Sequence, residues 1–302
     1  MIFKNAHIFR LTGSSQVEAA WNPELLLEQL ENRRFKPCSG IRPASFGWVS
    51  PLGDPEGPLL HQVGGCILLC ARREEKVVPS SALGDILAEK IERFESMEGR
   101  PVRAKEKQRL KEDALVELLP RALPRSKQIF GYISPRDHLV VIDTSSSPEA
   151  EMFLSCLRET VGNLTVVPPQ VKSRPVETYT HWLKSRKLPD DFSFGDQCDL
   201  FDPEDGSAIS CRKQDLNTRE ITVHLDAGKQ CSRLSLVWYG DLKFNIDKDL
   251  ILRQIKVLSS DDAADEAEDP IAQLDAAFMN FSLEMARFLP ALFSALGGES
   301  TP

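Results

Sequence analysis

From Ala82 to about Leu119 a helix-forming stretch interrupts an otherwise β-rich half of the chain. Leu83, Ile86, Leu87, Ile91 and Phe94 recur at the spacing that puts side chains on one helical face. A second helix follows Gly99-Arg100-Pro101, its stripe made by Leu110, Ala114, Leu115, Leu118 and Leu119. Two such helices flanked by strands read as a helical hairpin projecting from a sheet. The fold class expected is therefore α+β, with mixed sheets and a projecting hairpin.

On the N-terminal side, Phe3 to Leu11 reads as an opening strand closed by Thr12-Gly13-Ser14-Ser15. Asn22 and Pro23 fit the cap and first position of a helix ending near Asn32. Phe46 and Trp48 alternate in a short strand, and Val63 to Cys70 with Lys76 to Val78 suggests a hairpin-rich sheet ended by Pro79. Beyond the insertion, Gln128 to Ile133 and His138 to Asp143 read as strands, followed by a helix from Pro148 to about Thr160. The proline-rich stretch Val167 to Pro175 marks a boundary.

Past it, strands are expected near Phe192 to Leu200, Ala208 to Lys213, Lys229 to Trp238, Leu242 to Ile246 and Ile251 to Leu258, with a helix from Thr218 to Ala227. An acidic linker carries Asp261, Asp262, Asp265, Glu266, Glu268 and Asp269. A terminal helix then presents Phe278, Phe281, Leu283, Met285, Phe288, Leu292 and Leu296. The division expected is a central α+β domain (1–79 and 120–166), a hairpin tip (80–119) and a base domain with a sheet and terminal helix (167–302).

Composition narrows the function. The 302 residues suffice for a large core, and neither a secretory leader nor an apolar run long enough to span a membrane is visible. Seven scattered cysteines, several inside apolar runs, fit a reducing cytoplasm. No phosphate-cradling G-x-x-x-x-G-K-S/T spacing, H-E-x-x-H or C-x-x-C pair occurs, and the five histidines His7, His61, His138, His181 and His224 are widely spaced. Cys66 and Cys70 lie in a strand-like run and read as core. No cofactor, structural metal or turnover is expected.

An enzyme reading nevertheless exists. Asp190, Asp191, Asp202, Glu204 and Asp205 are loop-like acids, and convergent carboxylates could hold Mg²⁺ in a nuclease. Pro189 and the Pro203-Glu204-Asp205-Gly206 turn account for the same residues as solvated loop charge.

The cations are more suggestive. Although the formal net charge is −8, Arg100 to Lys111 holds Arg100, Arg103, Lys105, Lys107, Arg109 and Lys111 against the single acid Glu106. Arg121, Arg125 and Lys127 follow on what reads as a stiff, proline-punctuated turn, and Arg72, Arg73 and Lys76 leave the sheet toward the hairpin. Such density can neutralise phosphates, though a solvated helix face is the simpler reading of the hairpin run alone. No helix-turn-helix or zinc-finger pattern presents base-edge readers, and aromatics are sparse near the cations. Sequence-tolerant binding of duplex DNA is the mode expected.

The order of short motifs is informative. Phe3-Lys4-Asn5, Phe46-Gly47-Trp48-Val49, Cys70-Ala71-Arg72-Arg73-Glu74-Glu75-Lys76, Leu118-Leu119-Pro120-Arg121-Ala122, Val166-Val167-Pro168, Lys213-Gln214-Asp215-Leu216, Glu220-Ile221 and Ala227-Gly228-Lys229 run nearly end to end. Together they resemble the recombination-associated protein RdgC family. The resemblance implies a ring-shaped homodimer that encircles double-stranded DNA, associates with the nucleoid and limits loading or activity of the RecA recombinase. It implies that Lys213 and Gln214 face the DNA, with Lys76, Arg121, Arg125 and Lys229 as further contacts. It also implies a tip contact between subunits at Leu123, where family members can carry Phe. A scaffold acting on the recombinase directly, through the acidic linker and terminal helix, is a third reading.

Overall fold

The computed structural model describes residues 3–13, 21–258 and 269–300. Two antiparallel sheets and seven α-helices make up the described residues, an α+β architecture. The first sheet contains β1 (His7–Leu11), β2 (Ala44–Val49), β3 (Leu60–Val63), β4 (Cys66–Val77), β5 (Leu123–Ser134), β6 (Leu139–Ile142) and β7 (Val166–Val167), in the order β2-β4-β5-β6-β1-β7 with β3 paired to β4. The second contains β8 (Phe192–Phe201), β9 (Ala208–Arg212), β10 (Gln230–Trp238), β11 (Leu242–Asp247) and β12 (Leu252–Val257), in the order β12-β11-β10-β8-β9. The helices are α1 (Pro23–Glu31), α2 (Ser80–Glu98), α3 (Ala104–Leu118), α4 (Ser147–Val161), α5 (Pro175–Ser185), α6 (Arg219–Asp226) and α7 (Pro270–Ala295).

Local chemistry explains several boundaries. The Asn22 side chain accepts from the amides of Glu24 and Leu25 at 3.0 and 3.3 Å, which satisfies donors that the first turn of α1 leaves free. Gly64 and Gly65, both at positive φ, turn β3 into β4, so the apolar run from Val63 to Cys70 is two strands rather than one. Pro175, read as part of a breaker, instead starts α5 at the first helical position, where its missing N–H costs nothing.

The largest departure lies at the foot of the hairpin. Only Leu119–Arg121 forms a turn, one of 3-10 type; Leu123 to Ser134 is a single strand paired with β4 from Val77↔Leu123 to Ile67↔Ile133. Pro124 is tolerated because β6 pairs only with the far end of β5, leaving the near half as an open edge where no amide is needed. Arg125 and Lys127 therefore stand on the edge strand of an arm, with β4 and then β2 on its inner side.

Each face of the first sheet buries a core. On one side Leu26, Leu30, Trp48, Ile129, Phe153 and Leu157 pack beneath α1 and α4. On the other, Leu68, Tyr132 and Val141 share one cluster with Trp238, Phe244 and Ile255 of the second sheet and Phe278, Phe288 and Leu292 of α7. Phe3 stacks on Phe281 with centroids 4.7 Å apart, and Ala6 and Leu252 exchange backbone hydrogen bonds of 2.9 and 3.0 Å. The sheets are thus joined by a continuous apolar layer. Leu283, expected in the stripe of α7, is 58% exposed.

Close packing yields a test. A Cβ on Gly131 of β5 would sit 2.6 Å from Cζ of the fully buried Phe153. Gly131→Ala is expected to destabilise by about 1–3 kcal/mol in urea unfolding, because the ring has no room to retreat.

By contrast the hairpin buries almost nothing. No residue of α2 is buried, and only Ala114 of α3 is. Leu83, Ile86, Leu87, Ile91 and Phe94 are only half-buried, as are Leu110, Leu115 and Leu118, although the two helices lie against each other. Gly99 in the left-handed region ends α2, and Arg100 grips Glu106 through two hydrogen bonds of 2.7 and 3.0 Å while Glu106 also accepts from the Arg103 amide. The Arg100 guanidinium holds the Glu106 carboxyl down to about 2. Lys90 and Glu117 bridge the helices at 2.9 Å.

Candidate nucleic-acid interface

Two groups of cations stand on different elements. The first lies on the hairpin and its arm. Lys105, Lys107, Arg109 and Lys111 of α3, Arg121 after it, and Arg125 on β5 are all exposed, and none pairs with an acid among the described residues. Arg125 lies across from Glu75 on β4, but Glu75 is taken by Arg73. Six positive charges therefore face solvent on one projecting unit.

Lys76 behaves differently. Its ammonium donates to the carbonyls of Gly40 and Leu119 at 2.7 and 2.8 Å, tying the arm to a loop on one side and to the foot of the hairpin on the other. Lys76→Met is expected to lower stability by about 1.5–3 kcal/mol, the range for hydrogen bonds to charged groups. If Lys76 acts as a brace, the slope of log K against log salt for DNA binding is unchanged in that variant; a slope less negative by about 0.9 per subunit restores it as a phosphate contact.

The second group lies on the second sheet. Lys213, directly after β9, is exposed, makes no ion pair with a described residue and adopts a left-handed backbone (φ 53°). Gln214 donates its amide to the Asp196 carbonyl at 3.1 Å and its side-chain nitrogen to Glu220 at 2.5 Å. The turn is thus fixed from both sides while Lys213 points free. Lys229 is committed elsewhere: its ammonium donates to Ser207 at 2.7 Å and lies 3.5 Å from Asp202, stapling the β8–β9 loop.

Sequence reasoning passed over Arg233, Lys243 and Lys256 on the polar face of this sheet. Arg212 and Arg233 grip Asp199 at 2.8 and 2.9 Å. Burial raises the Asp199 carboxyl, but Arg212, Ser210 and Arg233 outweigh it and leave the group more acidic than an ordinary aspartate. Lys243 pairs with Asp196 at 2.7 Å, and Lys256 lies opposite Lys243 across β11 and β12. The apolar-polar alternation Leu242-Lys243-Phe244-Asn245-Ile246 places Lys243 on this face and could have shown it.

The loop acids do not converge. Asp190 and Asp191 precede β8 and the Asp202–Asp205 turn follows it, so a ten-residue strand holds them about 30 Å apart. Asp202 and Asp205 accept from the Glu204 and Ser207 amides at 2.9 and 2.7 Å, ordinary turn chemistry. Among the described residues no group of three or more His, Cys, Asp or Glu side chains could hold a metal ion.

Comparison with known proteins bears on the whole chain. A family model described as "Putative exonuclease, RdgC" matches residues 1–299. The chain belongs to the RdgC family. Curated RdgC relatives, each named recombination-associated protein RdgC, include those of Aeromonas hydrophila (42% identical, 99% of both chains covered) and Tolumonas auensis (39%, 99% of both). That of Pseudomonas aeruginosa strain PAO1 is 38% identical over 100% of this chain and 99% of its own. Among the described residues of this RdgC-family chain no helix is long and apolar enough to cross a membrane. The acidic segment 261–268 lies outside the described residues.

Proposed function

We propose that this RdgC-family chain is a sequence-nonspecific duplex DNA-binding protein that works as a ring-shaped homodimer in the nucleoid and modulates homologous recombination by limiting RecA loading or activity. The observation that carries the reading is the segregation of charge. On a chain of net charge −8, Lys105, Lys107, Arg109, Lys111, Arg121, Arg125 and Lys213 have no acidic partner among the described residues. Unpaired cations attract a phosphate backbone while the acidic excess keeps the remaining surface from non-specific association.

Ring closure is supported by unburied apolar surface at the hairpin foot. Leu123 is 81% exposed, and Val77, its partner across the arm, is 51% exposed. A hairpin with one buried residue in its two helices gains stability by packing against a second copy. The far side of the ring would close through the second sheets.

The test is a mobility-shift titration across salt. With about eight phosphates neutralised, log K should fall against log salt with a slope of roughly −7, and a flat response overturns the electrostatic reading. The name of the matching family model keeps a nuclease in contention, and incubation with duplex DNA and Mg²⁺ separates the two. Intact DNA is expected. Shortened or nicked product, abolished by Asp190→Asn or Asp202→Asn, overturns the binding-only account.

A further inference from the structure

The Lys213 turn is one end of a longer row. Between Leu234 and Leu236, β10 advances two residues while β8 advances four, from Cys198 to Phe194. The resulting bulge is made possible by Gly195, where a Cβ would lie 2.1 Å from Oγ of the buried Ser235. It carries Asp196 over β10, so that its carboxylate meets the Lys243 ammonium on β11 at 2.7 Å. The same residue's carbonyl accepts the Gln214 amide, and Lys213 contributes to the field that, after the Lys243 contact, keeps the Asp196 carboxyl below the ordinary carboxylate range.

Lys256 continues the row. It is paired in register with Lys243, is exposed, and makes no ion pair with a described residue. Like charges directly opposite on neighbouring strands are unfavourable unless an anion lies between or beside them. Asp196 supplies one negative charge against Lys213, Lys243 and Lys256, so the row carries an uncompensated excess of two. From β9 to β12 it crosses four strand spacings, about 19 Å, more than the roughly 12 Å width of a major groove. Phosphates on both sides of a groove are within its reach.

We infer that Lys243 and Lys256 extend the Lys213 contact into a phosphate-binding row across the second sheet, and that the Asp196 carboxylate is an intramolecular competitor occupying the position at Lys243 that a DNA phosphate takes. This rests on the duplex-binding reading. DNA binding then exchanges one anion for another at Lys243, and Asp196 holds affinity below what the lysines alone would give. Such a competitor favours a protein that must leave its DNA as readily as it meets it.

Removing the competitor has a distinctive sign. Asp196→Asn keeps the backbone carbonyl that orders Gln214 and frees Lys243. It is expected to tighten duplex binding about fivefold per subunit at 0.15 M salt, with a slope steeper by about 0.9. Lys256→Gln, at an exposed position without a described acidic partner, is expected to weaken binding by about the same factor, with a slope less negative by about 0.9. Circular dichroism and sedimentation of each variant establish that fold and assembly are kept. If Lys213→Gln lowers the slope while Lys256→Gln does not, or Asp196→Asn fails to tighten binding, the row is overturned and the duplex-binding reading stands. If the unsubstituted protein shows no salt dependence and Lys213→Gln changes nothing, the reading beneath it falls instead.

Discussion

Leu123→Asp should release closed circular DNA at least about a hundredfold faster than the unsubstituted protein, while affinity for a short linear duplex changes little. Burying a leucine contributes about 1.5–3 kcal/mol, and a two-fold contact counts it twice, so the substitution removes about 3–6 kcal/mol from the tip before any repulsion between two aspartates. That range corresponds to roughly 10² to 10⁴ in the opening equilibrium. The monomer should be indifferent, since Leu123 is 81% exposed on the open edge of β5 and fills no cavity of its own chain. A short linear duplex leaves by its ends, so opening the tip does not govern its dissociation. Leu123→Phe supplies the opposite sign: a ring buries more area than leucine and prefers stacked or edge-on contact with its two-fold mate, so retention on circles should lengthen. Retention on a circle measured after a salt jump decides the matter. Equal lifetimes for the leucine and aspartate proteins sink the tip contact and leave the cations to explain binding alone.

What could be read beforehand follows a physical pattern. Local chemistry was legible: Asn22-Pro23 announced α1, and the alternation of Leu242, Phe244 and Ile246 announced a strand with one face in the core. Signals whose meaning depends on a distant partner were not. Pro124 looked like a turn residue because a central strand cannot hold it, and only the pairing of β6 with the far end of β5 shows that its position is an edge. Pro175 looked like a breaker, yet at the first position of a helix its constraint is an asset.

The same division runs through the site. Exposed cations on a helix, such as Lys107 and Arg109, are recognisable from spacing. Whether a lysine is free is decided by long-range contacts: Lys76 is held by Gly40 and Leu119, and Lys229 by Ser207 and Asp202, and neither tie is visible in the sequence. Asp196 stood in an unremarked Phe-Gly-Asp-Gln run, and a bulge brings it to Lys243.

The double substitution Arg121→Ala with Lys213→Ala is the harder test of what the protein does. Each lysine or arginine lost from a phosphate contact removes about 0.9 counterion from the exchange, worth about 1 kcal/mol at 0.15 M salt, and a homodimer loses each contact twice. Four contacts therefore amount to about 4 kcal/mol, close to a thousandfold in affinity, with a slope less negative by about 3.6. Both side chains are exposed and without acidic partners among the described residues, so stability should shift by less than about 0.5 kcal/mol. Recombinase inhibition on duplex-containing substrates should then fall with DNA affinity, and lowering the salt should restore both together. A scaffold that acts on the recombinase through α7, whose Leu283 and Met279 face solvent, has no reason to follow salt in this way. Inhibition that survives the double substitution while DNA binding is lost transfers the activity from the cations to that helix.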